Sequence, residues 1–260
     1  MTVALLVALA ARAGDPAVVP APHDPPTVRR EIARGVWVDW TDLAIEVTTR
    51  ARGHGPQDAE AAEQQARREV DAAIRQAASR VPLTGALTVG AIGDDRVRPA
   101  VQSRLSRWEV TEGRYGSAGE VVLTAALSLQ ELLKPYTLAE ARPGPAQAEH
   151  PPEWTGLVID ARGASVVPCW APRLVTEDGD ALLVVRMWED EAVNVAPLVY
   201  VSDPAHPAAA RAGDHPLFVR ASDARGGDVV LSGAELARFH AELADARVLG
   251  EGRVVVVVDP

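Results

Sequence analysis

The chain of 260 residues has a single cysteine, Cys169, so no intramolecular disulfide can form. No cysteine lies near the start either, which excludes a lipidated N-terminal anchor there. Aromatic residues make up only 4%. The cores must therefore be built from Val, Leu, Ile and Ala, and few rings are left to stack on bases or sugars. Basic residues are in deficit, 26 against 36 acidic, for a net charge of −10. That balance repels phosphate backbones, and no Lys/Arg block offers a local exception, so nucleic acid is excluded as a partner. Cofactor chemistry is also missing from the pattern. The six histidines form no His-x-x-x-His pair or Cys/His cluster, and there is no Gly-x-Ser-x-Gly elbow, Walker loop or dinucleotide fingerprint. No cofactor and no metal are expected.

What is present begins with Thr2–Ala11, an apolar run followed by Ala11-Arg12-Ala13. Its length suits the core of an export signal and is too short to span a bilayer as a helix. Cleavage after Ala13 would remove only Arg12 among the charged residues, leaving 25 basic against 36 acidic and a charge of −11. The mature protein is expected in the periplasm. Residues 14–34 read as a flexible lead-in, with five prolines between Asp15 and Pro26 and a short helix from Thr27 to Arg34.

From Gly35 the pattern turns extended, and Leu43, Ile45 and Val47 alternate with polar neighbours. Trp37 and Trp40 break that register, which predicts a turn near Asp39. Their rings are expected to plug a core edge. Gly55-Pro56 opens a long helix with Ala59, Ala62, Ala66, Val70, Ala73 and Ala77 on one stripe. A short strand and turn are expected over Leu83–Gly93 and a short helix over Pro99–Ser106. Trp108–Tyr115 and Val121–Leu129 then form a hairpin across Gly116–Gly119. Residues 139–152 read as a Pro/Ala-rich linker. Beyond it lie further strands, the capping box Ser232-Gly233-Ala234-Glu235 with its helix, and Val254–Val258. An apolar run without alternation marks a strand covered on both faces.

The expected fold is α+β, in two small domains of residues 35–138 and 153–260. Each is expected to be a mainly antiparallel sheet with a packed helix.

For catalysis the sequence offers only weak candidates. Asp160 ends the run Leu157-Val158-Ile159, where a carboxylate could sit at a sheet edge or pair with Arg162. His206 and His215 flank a loop beside Asp203 and Asp214. Cys169, between Pro168 and Trp170, reads as a buried small side chain. The acidic turn Glu177–Asp180 lacks the remainder of a calcium loop.

Val36–Thr48, the alanine-rich helix and the Trp108–Gln130 hairpin together resemble the N-terminal domain of flagellar assembly protein T. They are also similar to LPP-type outer-membrane lipoproteins. The part from Thr155 to Asp259 resembles the region that follows that domain in such envelope proteins. The resemblance implies a non-enzymatic envelope protein, outer-membrane associated or at the flagellar basal body, with other envelope proteins as partners and a homo-oligomer left open. The missing lipidated cysteine departs from the family and removes its direct membrane anchor. The alternative is a periplasmic hydrolase or small-ligand-binding protein using Asp160 and the loop histidines.

Overall fold

In the computed structural model, residues 26–141, 153–184, 187, 194, 196–242 and 247–260 are described. The export segment, most of the lead-in and most of the linker lie outside them. The fold is α+β, as the residue pattern predicts.

The first half is a five-stranded antiparallel sheet of β1 (Arg29–Ala33), β2 (Val36–Asp39), β3 (Ala44–Arg52), β4 (Glu109–Tyr115) and β5 (Glu120–Ser128). The strand order is β1-β2-β3-β5-β4. Helix α1 (Ala59–Ala78) lies across one face and buries Ala62, Ala66, Val70, Ile74, Ala77 and Ala78. Alanine on that stripe permits close approach: the Thr49 hydroxyl donates to the Ala66 carbonyl at 3.2 Å. Two short helices complete this half, α2 (Val97–Gln102) and α3 (Leu129–Glu140).

Three expectations fail here. The Thr27–Arg34 helix is instead β1, a hairpin arm paired with β2 around Gly35 at φ +73°. Pairing with an apolar neighbour strand overrides the local helical signal. The β5 strand stops at Ser128, whose hydroxyl accepts from the Glu131 amide at 3.3 Å and caps α3. The expected linker therefore starts inside a helix, which runs on to Glu140. Of the strand and turn expected over Leu83–Gly93, the strand is reduced to one bridge, Pro82 to Thr88, while a 3-10 turn is present at Val89–Ala91.

The second half holds two four-stranded sheets. One consists of β6 (Leu157–Asp160), β9 (Val199–Val201), β10 (Leu217–Arg220) and β13 (Val254–Val257), in the order β10-β6-β13-β9. All three of its pairings are parallel. Antiparallel pairing was expected for this half, and the central strands explain the difference. All four residues of β13 and the first three of β6 are buried, the signature of strands covered on both faces. The smaller sheet is mixed, in the order β11-β12-β7-β8, from β7 (Leu174–Thr176), β8 (Ala181–Leu183), β11 (Asp223–Arg225) and β12 (Asp228–Leu231). Helix α4 (Gly233–Glu242) packs beside β10, and α5 (Arg247–Gly250) precedes β13. Glu235 of the predicted capping box accepts from the Arg220 amide of β10, so it ties the helix to the sheet.

One apolar cluster runs through both halves. Trp40 meets the Tyr200 ring edge-on at 5.9 Å, and the Thr41 hydroxyl donates to the Tyr200 carbonyl at 2.7 Å. The backbone amides of Trp170 and Ala171 donate to the carbonyls of Pro82 and Leu83. The Trp170 indole N–H donates to Thr137 at 2.9 Å.

Candidate functional site

A parallel sheet directs all its strand ends the same way, and ligands commonly bind outside the carboxyl ends. Here those ends carry charge. Asp160 closes β6, Arg220 closes β10, Asp203 follows β9 by two residues and Asp259 follows β13 by two. Gly163, at φ +81°, turns its amide onto the Asp259 carboxylate at 2.9 Å.

Asp160 is held by Arg162 through two contacts, Nε to Oδ1 at 2.8 Å and Nη2 to Oδ2 at 2.7 Å. The guanidinium hydrogen bond keeps this carboxyl below its usual range, against the opposing effect of partial burial. A carboxylate fastened in this way is a poor proton acceptor at neutral pH.

His206 lies beyond β9, on the same side of the sheet as Asp160, but β13 stands between their strands. Its Nδ1 accepts from the Ala208 amide at 3.1 Å and caps the 3-10 helix Pro207–Ala212. His215 precedes β10, whose first residue Leu217 pairs with Leu157, the first residue of β6. It therefore sits at the amino end of the sheet. There its ring stacks on Trp154 at 4.5 Å with the planes 15° apart. Four strand residues at 3.2–3.4 Å each put about 13 Å of sheet between this end and Asp160. The structure therefore does not bring His215 together with Asp160.

Cys169 is buried, and burial pushes its thiol up to about 12. The Tyr200 hydroxyl accepts from the Cys169 amide at 3.1 Å and donates to its carbonyl at 3.0 Å, a structural clasp. Glu177–Asp180 forms the turn between β7 and β8, with Gly179 at φ +92°. Gly116–Gly119 joins β4 and β5 as predicted.

Residues 156–260 match the family model for the second domain of Treponema pallidum Tp0624. The match opens at β6 and takes in the whole parallel sheet, including Asp160, His206 and His215. The five-stranded sheet and α1 lie before it in the chain, and no family model for flagellar assembly protein T or for LPP-type lipoproteins is matched. No curated protein matches the sequence.

Two surface features emerge that the residue pattern alone did not disclose. The first is the face of the five-stranded sheet opposite α1. Ala44, Glu46, Thr48, Arg50 and Arg52 of β3 point there beside Glu120, Val122, Thr124, Ala126 and Ser128 of β5. Two depressions mark it. One of about 420 Å³ lies over Ala44, Ala126 and Ser128, and one of about 240 Å³ over Thr48, Val122 and Thr124. Charges on this face pair across strands, Arg50 with Glu120 at 3.1 Å and Arg29 with Glu46. The strict alternation in β3 and β5 was the available signal, since it requires one face of the sheet to be polar. The second feature is a cleft of about 500 Å³ between β1 and the extended segment Val166–Pro168.

Proposed function

We propose that the chain is an exported cell-envelope protein that acts through protein–protein contacts, in the assembly or stabilisation of an outer-membrane or flagellar-basal-body structure. The observation that carries this reading is the open face of the five-stranded sheet. It is polar, dented by two hollows lined by Ala, Ser and Thr together with charged side chains such as Arg107, Glu109 and Arg114, and it ends in the edge strands β1 and β4. Interfaces that form and dissolve resemble ordinary polar surface in composition, and what marks them is shape and exposed hydrogen-bonding edge. The N-terminal apolar run Thr2–Ala11 supports export, and the resemblance to envelope proteins supports the assembly role.

The alternative, a hydrolase built on Asp160 with His206 and His215, fits the geometry less well. Asp160 is committed to Arg162, and His215 stands at the opposite end of the sheet.

Crosslinking the mature protein in cells and identifying the adducts by mass spectrometry tests the proposal. Discrete envelope partners are expected. Recovery only as an unpartnered soluble monomer would count against it, as would finding the intact Met1–Ala13 segment on protein isolated from the cytoplasm.

A further inference from the structure

β1 is an edge strand, and its outer side faces the 500 Å³ cleft. The Trp40 amide donates to the Val28 carbonyl at 2.8 Å, so Val28 is turned toward the neighbouring strand. Antiparallel alternation then turns the N–H and C=O groups of Arg29 and Glu31 outward, to the unpaired side. Past the bulge between Glu31 and Ala33 the Ile32 carbonyl faces outward too, and Arg80 Nη1 donates to it at 3.3 Å.

The opposite wall is extended chain. Val166–Pro168 is positioned by Ser165, a non-glycine residue at φ +56°. It is pinned by the Val167 amide on the Gly226 carbonyl and by the Trp170 amide on Pro82. The wall is therefore preformed, which lowers the entropic cost of receiving a ligand. Val166 and Trp40 are buried behind it, while Val167 leaves 51% of its surface in solvent.

Charge singles out the occupant. The molecule carries −10 overall, yet β1 and the turn after it hold Arg29, Arg30 and Arg34 against Glu31 alone. Both acids that line the cleft are turned to glycine amides: Glu31 accepts from Gly35 at 2.8 Å and Asp259 from Gly163 at 2.9 Å. Arg30 and Arg34 are exposed and make no ion pair among the described residues.

We propose that this cleft receives an extended peptide of a partner protein, added to β1 as a further strand. An apolar side chain enters between Ile32 and Val166–Pro168, and an acidic residue meets Arg30 and Arg34. The proposal rests on the protein-contact reading and gives it a second, separate surface. The five residues of β1 span about 16 Å at 3.2–3.4 Å per residue, enough to pair with a four- or five-residue strand. Main-chain bonds would supply affinity, and the pocket and arginines the selectivity.

The test uses the full chain with two fluorescein-labelled peptides, Glu-Val-Glu-Val-Glu and Lys-Val-Lys-Val-Lys, followed by anisotropy. The acidic peptide should saturate and the basic one should not. Amide exchange on the same complex should slow at Arg29 and Glu31. Arg30→Glu, at an exposed position that leaves the thermal transition in place, should weaken the acidic peptide by roughly tenfold or more through loss of a charge-assisted contact. Arg52→Glu, on the open sheet face, should leave it unchanged. Failure of the acidic peptide to bind, equal binding of both peptides, or indifference to Arg30→Glu would each overturn the proposal. Partners crosslinked through the open sheet face with no protection at β1 would sink this site and leave the wider contact reading standing.

Discussion

At the scale of single residues, the groups that looked most chemical turn out to be fastened into the scaffold. The Asp160 carboxyl is held low, chiefly by Arg162. A depressed carboxyl stabilises the fold above its unfolded value, and that contribution is lost as pH falls through the folded one. The pair is partly exposed, so Asp160→Asn should cost under about 1 kcal/mol in denaturant unfolding at pH 7, with the difference shrinking in acid. A large loss of stability would show that more than this ion pair depends on the carboxylate. Cys169 behaves in the opposite sense. Its thiol is raised by burial to about 12, from an ordinary value near 9. The folded chain then holds its proton where the unfolded chain releases it, so this contribution is intact below pH 9 and lost as pH rises toward 12. The thiol should resist an aromatic disulfide reagent at pH 8 in the native protein and react with one equivalent after denaturation. Rapid labelling of native protein would mean that the segment around Cys169 opens. Asp228 is a stronger anchor. It is buried, and its carboxylate accepts from the Arg173 amide and guanidinium. Asp228→Ala should cost about 1–3 kcal/mol by leaving those donors without their acceptor.

Elements were legible in proportion to how local their cause is. The alternation Leu43-Ile45-Val47 is visible because a strand with one covered face must repeat every two residues. The alanine stripe of α1 was visible for the same kind of reason, and so was the central position of Val254–Val258. β1 was missed because its strand character comes from pairing with Val36–Asp39, while Thr27 and Gly35 locally mimic helix caps. α3 was missed although Ser128-x-x-Glu131 is a capping pattern, because the hairpin's apolar alternation runs on into Leu129 without a break. Ser128→Ala should cost about 1 kcal/mol, measured by chemical denaturation, if that hydroxyl caps the helix. Parallel pairing in the second half could not be read from strand composition alone, since it depends on which connections cross the sheet. Of the candidate site, the strand-terminal Asp160 and Asp259 could be placed from sequence. The pairing of Asp160 with Arg162 was one of the two readings its neighbourhood offered, but the engagement of Asp259 by the Gly163 amide could not be read, because it joins residues far apart in the chain.

The whole molecule ties its two halves together through Trp40, Thr41, Tyr200, Pro82, Leu83, Thr137 and Trp170. A chain with one shared core should unfold as one unit, and Trp40→Ala should cost about 3–5 kcal/mol and lower the stability of both halves together. Hydrogen exchange read separately over residues 44–52 and 254–257 would show it. Two transitions that shift independently would mean that the halves are autonomous. The surface left outside that core is where function is placed, and the open sheet face, with its two hollows, belongs to it. The central claim is that this face meets another protein in the cell envelope. Its most direct measurement is site-specific photo-crosslinking in living cells, with the probe at Thr48 or Thr124 on that face and, for comparison, at the exposed Arg68 on the outer side of α1. The account predicts discrete adducts with an envelope protein from the first two positions and none from the third. Adducts from no position, or the same adducts from all three, would contradict it.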